Sequence, residues 1–266
     1  MRILKENDKE ALLHYLEKEP EMNLFFTGDL ENFGMNSNEV SFYLHEEKDR
    51  WDFVILRFYE FFILYSQYND FNADAAIEFF KSQEKIECIS GNTSLLEKIS
   101  FGFKDWEIQS TYMSRCNQVH KQTSFSSDIS IRLLTKDEVG KAIDLLMTIE
   151  EFRKTYENTN RDEQIIRTQE EMDSKNKVIM GAFRKEKLLA LAETSAETTT
   201  SAMIVGVATA LDERKHGYAS AVVSALCENC FSRNMKFLCL FYDNPEAGRI
   251  YNRIGFEEIG LYGMLR

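Results

Sequence analysis

Residues 213–220 read ERKHGYAS, so that Arg214, Lys215 and His216 stand immediately before Gly217 and an apolar helical run. Three side chains that are basic or can become so, set at the head of a helix, make a candidate anion site. The first N–H groups of a helix have no intrahelical partner, and the helix dipole favours negative charge beside them. Gly217 lets the backbone come close to a ligand and take torsions that a side chain hinders. Arg214 adds a fork of donors suited to phosphate oxygens, and Lys215 adds a second positive charge. The other reading of the same residues is a basic turn in contact only with water. His216 reads as a surface side chain rather than a base. Cys227 and Cys230 form a CxxC. With no second pair and no nearby His, it reads as two core thiols on a helix and not as a metal site, and no metal is expected.

The 266 residues are enough for one large domain or two of ordinary size, and 44% apolar content can bury a substantial core. A net charge of -12 argues against a nucleic-acid partner, because phosphate binding needs a dense Lys/Arg footprint. The most apolar window, FVILRFYEFFILY at 53–65, is interrupted by Arg57 and Glu60. It falls well short of the roughly 20 residues a spanning helix needs, so it reads as buried strands and no membrane partner is expected. The opening residues MRILKENDKE lack the apolar core of a secretory signal, and five cysteines form no even framework. Both point to a reducing, cytoplasmic setting. A homodimer is left open.

The elements that must position these residues fall into two halves on either side of the polar stretch NQVHKQTSFSSD at 117–128. The expected domains are 1–120 and 129–266. In the first, EALLHYLEKEPEMNLFFTGDLENFG has helical spacing interrupted at Pro20, and VSFYLHE, DFVILRF and EFFILYSQ read as consecutive strands. NADAAIEFFKSQ is a helix capped by Asn72 or Asp74; KIECISG, NTSLLEKI and WEIQSTYMSRC complete the half as strand, helix and strand. In the second half ISIRLLT is a strand, and TKDEVGKAIDLLMTIEEF is a helix with a capping box at Thr135 and Glu138. RDEQIIRTQEEMDSK follows as a helix, and residues 177–211 read as three strands with the first turn at 185–187. GYASAVVSALCENCFSRN is a long helix, KFLCLFYD a strand, PEAGRIYNRI a helix and GFEEIGLYGMLR the last strand. The fold class is α+β, or mixed α/β, and the shared order of elements hints at a duplication.

Arg214-x-x-Gly217-x-Ala219 follows the strand IVGVAT and opens a long helix, and NPEAGRIYNRIGF follows, placing Asn244, Ala247, Tyr251 and Gly255-Phe256 in register. This pair of motifs resembles the GCN5-related N-acetyltransferase (GNAT) superfamily, with Leu211 and Lys215 where members usually carry Pro and a small residue. The resemblance covers residues 129–266. It implies two GNAT-like lobes, each a mixed, mostly antiparallel sheet flanked by helices, with a degenerate N-terminal lobe that lacks the loop. It implies acetyl-CoA as co-substrate, with its pyrophosphate on Arg214, Lys215, His216, Gly217, Tyr218, Ala219 and Ser220. Val207, Ala208 and Thr209 would pair with the pantetheine amides as an added strand does, and a backbone N–H there could hold the oxyanion. By the same resemblance Tyr251 is the general acid and Ala247 lines the cofactor. Asn244 either bonds the pantetheine or phosphate arm or is an ordinary N-cap ahead of Pro245.

Acetyl transfer needs a neutral amine, and an amine of pKa about 10.4 is less than about 0.1% neutral at pH 7. A base is therefore useful, and Glu193 and Glu197 in LALAETSAET, on one strand parity, are the candidates; two solvated carboxylates are the other reading. The expected activity is acetyl transfer to a primary amine of a small molecule or an exposed protein amine. The alternatives are a noncatalytic acyl-CoA-binding module and a tandem-lobe transferase using aminoacyl-tRNA, which the acidic balance disfavours. Phe25, Phe26, Tyr156 and Tyr262 are candidates for the acceptor pocket and equally for the core.

Overall fold

The structure, a computed structural model, describes residues 1–120, 128–150, 152–153, 159–174 and 176–266. The chain divides into two compact units, Met1–Met113 with Glu258–Arg266, and Ser114–Glu257.

The first unit begins with β1 (Arg2–Ile3), α1 (Lys9–Leu16), α2 (Leu24–Phe33), β2 (Val40–Glu47), β3 (Arg50–Phe58) and β4 (Phe61–Tyr65). It continues through α3 (Ala73–Lys81), β5 (Cys88–Asn92), α4 (Thr93–Ile99) and β6 (Ile108–Cys116), and it takes in the last strand of the chain, β12 (Glu257–Leu265). The strand order is β1-β2-β3-β4-β5-β12-β6. Phe53 and Ile55 of β3 pack with Phe79 and Phe80 of α3, while Val54 and Leu56 pack on the opposite face with Leu12, Leu16 and Phe26. Burial of both faces explains why this strand reads as a continuous apolar run rather than an alternation.

β4 and β5 are parallel, from Phe61↔Cys88 to Leu64↔Gly91, and α3 is the crossover between them. The mouth of α3 is filled from within the chain. The Asn72 carboxamide accepts from the Ala75 N–H at 3.0 Å, and the Asn72 N–H donates to the fully buried Asp52 carboxylate at 2.9 Å. Those are the donors that an anion would otherwise use.

The second unit holds β7 (Ile129–Leu133), α5 (Val139–Met147), α6 (Arg161–Asp173), β8 (Ile179–Arg184), β9 (Lys187–Ser195) and β10 (Ser201–Thr209). After these come α7 (Tyr218–Ser232), β11 (Phe237–Tyr242) and α8 (Pro245–Ile254). The strand order is β7-β8-β9-β10-β11, antiparallel except for β10 and β11. The capping box of Thr135 and Glu138 forms as expected, and Arg132 adds two bonds to the Glu138 carboxylate at 2.7 and 2.8 Å. α7 buries Val222, Val223, Leu226, Cys227 and Cys230 against Leu189, Ala202 and Leu238.

Each unit is thus a mixed α/β assembly with a mostly antiparallel sheet. The units do not divide as 1–120 and 129–266, however. β12, which the sequence order assigns to the second half, pairs antiparallel with β5 from Tyr262↔Asn92 to Leu265↔Ile89, and Leu265 is fully buried in the α3–α4 core. Glu107 and Arg266 exchange main-chain hydrogen bonds in the same unit. A strand pattern records which faces are buried but not which neighbour does the burying. Of the presumed linker, residues 121–127 lie outside the described residues.

Candidate active site

β10 runs beside β11 only from Ser201↔Phe237 to Ile204↔Leu240. Past Ile204 its register continues with β9 alone, as far as Thr209↔Ala190, with a bulge between Val205 and Ala208. Val207, Ala208 and Thr209 therefore leave the β11 side of their main chain open for an added strand-like ligand. The bulge is built on Gly206, whose φ of +61° is a left-handed torsion that side chains disfavour. Space adds a second requirement, because a Cβ on Gly206 would stand 2.8 Å from Glu193 Cγ and 2.9 Å from its Oε1.

Glu193 lies on β9 opposite Val205 and is only 8% exposed. Burial pushes its carboxyl pKa up, the ammonium of Lys177 pulls against that, and Glu171 adds to it. A carboxylate with a raised pKa and a charged partner, set beside a backbone bulge, is the environment expected of a general base.

The loop after β10 carries a separation of charge. Glu213 is buried, and its Oε1 accepts from Arg184 Nη1 at 2.8 Å and lies 3.5 Å from Lys187 Nζ; Asp212 pairs with Lys187 at 3.0 Å. Both acids of the loop are thereby turned back onto cations at the β8–β9 turn. Arg214 is extended, Lys215 has φ +67° and Gly217 has φ +84° as the residue capping α7. Left-handed residues in such a turn are the backbone of an anion-binding concavity. Arg214 and Lys215 are exposed, and among the described residues their side chains make no hydrogen bond or ion pair. The amides of Tyr218, Ala219 and Ser220 open a helix of 15 residues, where N–H groups lack intrahelical acceptors.

Several side chains of the expected cradle have other partners. Tyr218 is buried, and its hydroxyl accepts from Arg184 Nη2 at 3.0 Å. His216 Nδ1 lies 3.3 Å from the Glu213 carbonyl, and its ring stacks on Tyr218. Asn244 is the N-cap of α8, accepting from the Glu246 N–H at 2.9 Å, with Pro245 in the first turn.

Tyr251 lies on α8, 8% exposed, against Tyr242 and Phe256 at ring separations of 5.9 and 6.0 Å. Burial pushes its phenol up to about 12, so the hydroxyl keeps its proton at neutral pH. Val207, Tyr218, Ala247 and Tyr251 belong to one apolar cluster, which brings the β10 edge, α7 and α8 together.

Glu197 does not share the strand position of Glu193. It lies in the turn after β9 rather than on the strand, where Arg233 grips it with bonds of 2.8 and 3.1 Å and the Thr194 hydroxyl donates at 2.5 Å. The positive φ of Ala196 ends the strand parity on which the pairing with Glu193 depended. Phe26 is core, Phe25 and Tyr262 pack on each other at 6.3 Å, and Tyr156 lies outside the described residues. All five cysteines are free and buried, and among the described residues no group of His, Cys, Asp or Glu is placed to hold a metal. Sequence reasoning missed Lys177, Arg184 and Lys187, whose acidic partners Glu171, Glu213 and Asp212 lie on other elements, so that no local pattern marks them.

Comparison with known families gives one match, to the model described as "Acetyltransferase (GNAT) domain", over residues 130–259. Residues 130–259 form a GNAT domain. No curated protein matches it. Among solved structures, a Drosophila protein superposes with a TM-score of 0.67 at 13% identity, covering 99% of this chain and 97% of its own. A tandem GNAT protein from the clavulanic acid biosynthesis pathway gives 0.61 at 10%, over 99% and 96%. A GCN5-related N-acetyltransferase-like protein from Streptococcus suis gives 0.58 at 14%, over 98% of each chain. At these identities the likeness is one of fold, and it extends over both units. Within this GNAT fold, the opened β10 edge, the bulge with its buried carboxylate, the amide-lined loop and a protonated phenol lie on consecutive elements of the second unit. Acyl transfer requires such groups: a slot for the donor, donors for its phosphates, a base and an acid.

Proposed function

We propose that the second unit is an acetyl-CoA-dependent N-acetyltransferase whose acceptor is a primary amine of a small molecule or of an exposed protein segment. The observation that carries this reading is the departure of β10 from β11 after Ile204, with Glu193 packed on the Gly206 bulge at the point where the strands part. Arg214 and the amides from Lys215 to Ser220 hold the pyrophosphate, and the main chain of Val207 to Thr209 pairs with the pantetheine arm. Acetyl-CoA supplies an activated thioester. Glu193 takes a proton from the incoming ammonium, the amine attacks the carbonyl carbon, and a β10 amide stabilises the oxyanion. The C–S bond then breaks as Tyr251 hands its proton to the thiolate, the second amine proton lost as the amide forms restores the Tyr251 phenol, and Glu193 releases the first to water. Asn244 and Ala247 shape the wall along α8.

The first unit is read as a degenerate GNAT lobe, a reading supported by the Asp52 and Asn72 contacts that occupy the mouth of α3. Free, buried cysteines agree with a reducing, cytoplasmic setting. No helix among the described residues is long and apolar enough to cross a membrane.

The test is incubation of the full chain with acetyl-CoA and a panel of primary amines, read by mass spectrometry. The expected result is one acetyl group gained by an amine for each CoA thiol released. Thermal stabilisation by acetyl-CoA with no acetylated product from any amine would favour a noncatalytic acyl-CoA-binding module instead.

A further inference from the structure

Lys177 precedes β8 and is 14% exposed at its side chain. Its Nζ lies 2.9 Å from Glu171 Oε2 and 3.6 Å from Glu193 Oε1. Among the described residues these are the charges that face Glu193: Lys177 from the segment before β8, and Glu171 from α6. Opposite Glu193, β8 presents Ile179 and β10 presents Val205 and Gly206, all uncharged. α5 and α7 also pack on β9 and add no charge to it.

A carboxyl buried without a partner takes up a proton rather than remain charged, and a protonated carboxyl cannot serve as a base. A fixed ammonium nearby opposes that uptake. Too close an ammonium, however, would saturate the carboxylate and compete with the acceptor amine. The two distances divide these effects: the short contact of Lys177 is with Glu171 on α6, and the longer one is with Glu193.

We propose that Lys177 is a positioning residue for acetyl transfer, keeping the Glu193 carboxylate charged while Glu171 restrains the ammonium from closing a tight pair with it. This rests on Glu193 being the base. Lys177 touches neither donor nor acceptor in this role and acts through the carboxylate alone.

The test is kcat/KM against pH for the full chain, with acetyl-CoA and an amine accepted in the panel. Wild type, Lys177→Met, Lys177→Arg and Glu193→Gln are compared, with melting temperatures measured alongside; Lys177→Gln replaces the Met variant if that fails to fold. A base must be deprotonated, so activity rises with pH through its pKa. Removing the ammonium raises that pKa and moves the acidic limb upward. On that limb, activity at a fixed pH then falls about tenfold for each pH unit of displacement and returns at higher pH. Lys177→Arg restores the wild-type limb. A Lys177→Met limb that coincides with wild type, or a loss equal at every pH, overturns the proposal. Glu193→Gln separates the two layers. If it keeps wild-type kcat/KM, the base assignment fails and takes this inference with it; if it is inactive while the Lys177→Met limb is unmoved, the role of Lys177 fails alone.

Discussion

Glu193 and Glu197 stand in the same short segment, both almost fully buried, and their neighbours give them different work. Glu197 is held by two bonds from Arg233 and one from Thr194, which occupy its acceptor positions and fix the β9–β10 turn. Glu193 has one ammonium at 3.6 Å and a glycine backbone beside its carboxylate. Glu197→Gln should therefore cost about 1–2 kcal/mol of stability, below the full value of a buried charged bond because Arg233 is part-exposed. It should leave kcat/KM within about twofold of wild type, checked by denaturant unfolding and steady-state rates. Tyr251→Phe should do the reverse, slowing kcat by about 10²-fold or more with little change in melting temperature or acetyl-CoA affinity. Because burial holds the Tyr251 phenol up at about 12, its proton is not lost at moderately alkaline pH, so activity should not decline there for want of the acid. The motif around Tyr251 was legible in the sequence because its spacing is local. The difference between the two glutamates was not, because it depends on Arg233 and Lys177, which reach them from other elements.

At the scale of elements, alternating and periodic patterns are the readable part. The three strands β8, β9 and β10, the helix α7 and the capping box at Thr135 follow from residue order, since neighbours in sequence determine them. The bulge at Gly206 does not follow: in IVGVAT a glycine reads equally as a plain strand position, and only the register slip against β9 reveals its φ of +61°. Gly206→Ala meets both the left-handed torsion and the Glu193 carboxylate at 2.8–3.0 Å. The expected cost is about 1–3 kcal/mol. The loss in kcat should exceed the loss in acetyl-CoA affinity, because the added methyl displaces the base more than it disturbs the phosphate loop. Equal, small effects on both constants would place the chemistry away from the bulge. The helix mouth of α7 was visible as a basic turn, but the pairing of Asp212 and Glu213 with Lys187 and Arg184, which leaves Arg214 and Lys215 exposed, required the fold.

Over the whole molecule, the two units repeat one arrangement, a parallel strand pair joined by a crossover helix: β4–α3–β5 and β10–α7–β11. The repeated order of elements was apparent in the sequence. The place of β12 was not, since its pattern fits either sheet and its pairing with β5 is a long-range choice. What distinguishes the two helix mouths is chemical. Asp52 and Asn72 fill the mouth of α3 with the chain's own acceptors, whereas Arg214 and Lys215 are exposed ahead of α7, whose first amides lack intrahelical acceptors. Under the proposed function, that contrast gives each chain a single acyl-CoA site. Calorimetric titration of acetyl-CoA into the full chain tests this most directly. The account predicts saturation at one molecule per chain and a dissociation constant weakened about tenfold by Arg214→Ala, the loss of one charged hydrogen-bonding partner. No binding heat, a second equivalent site, or an Arg214→Ala chain that binds as tightly as wild type would contradict it.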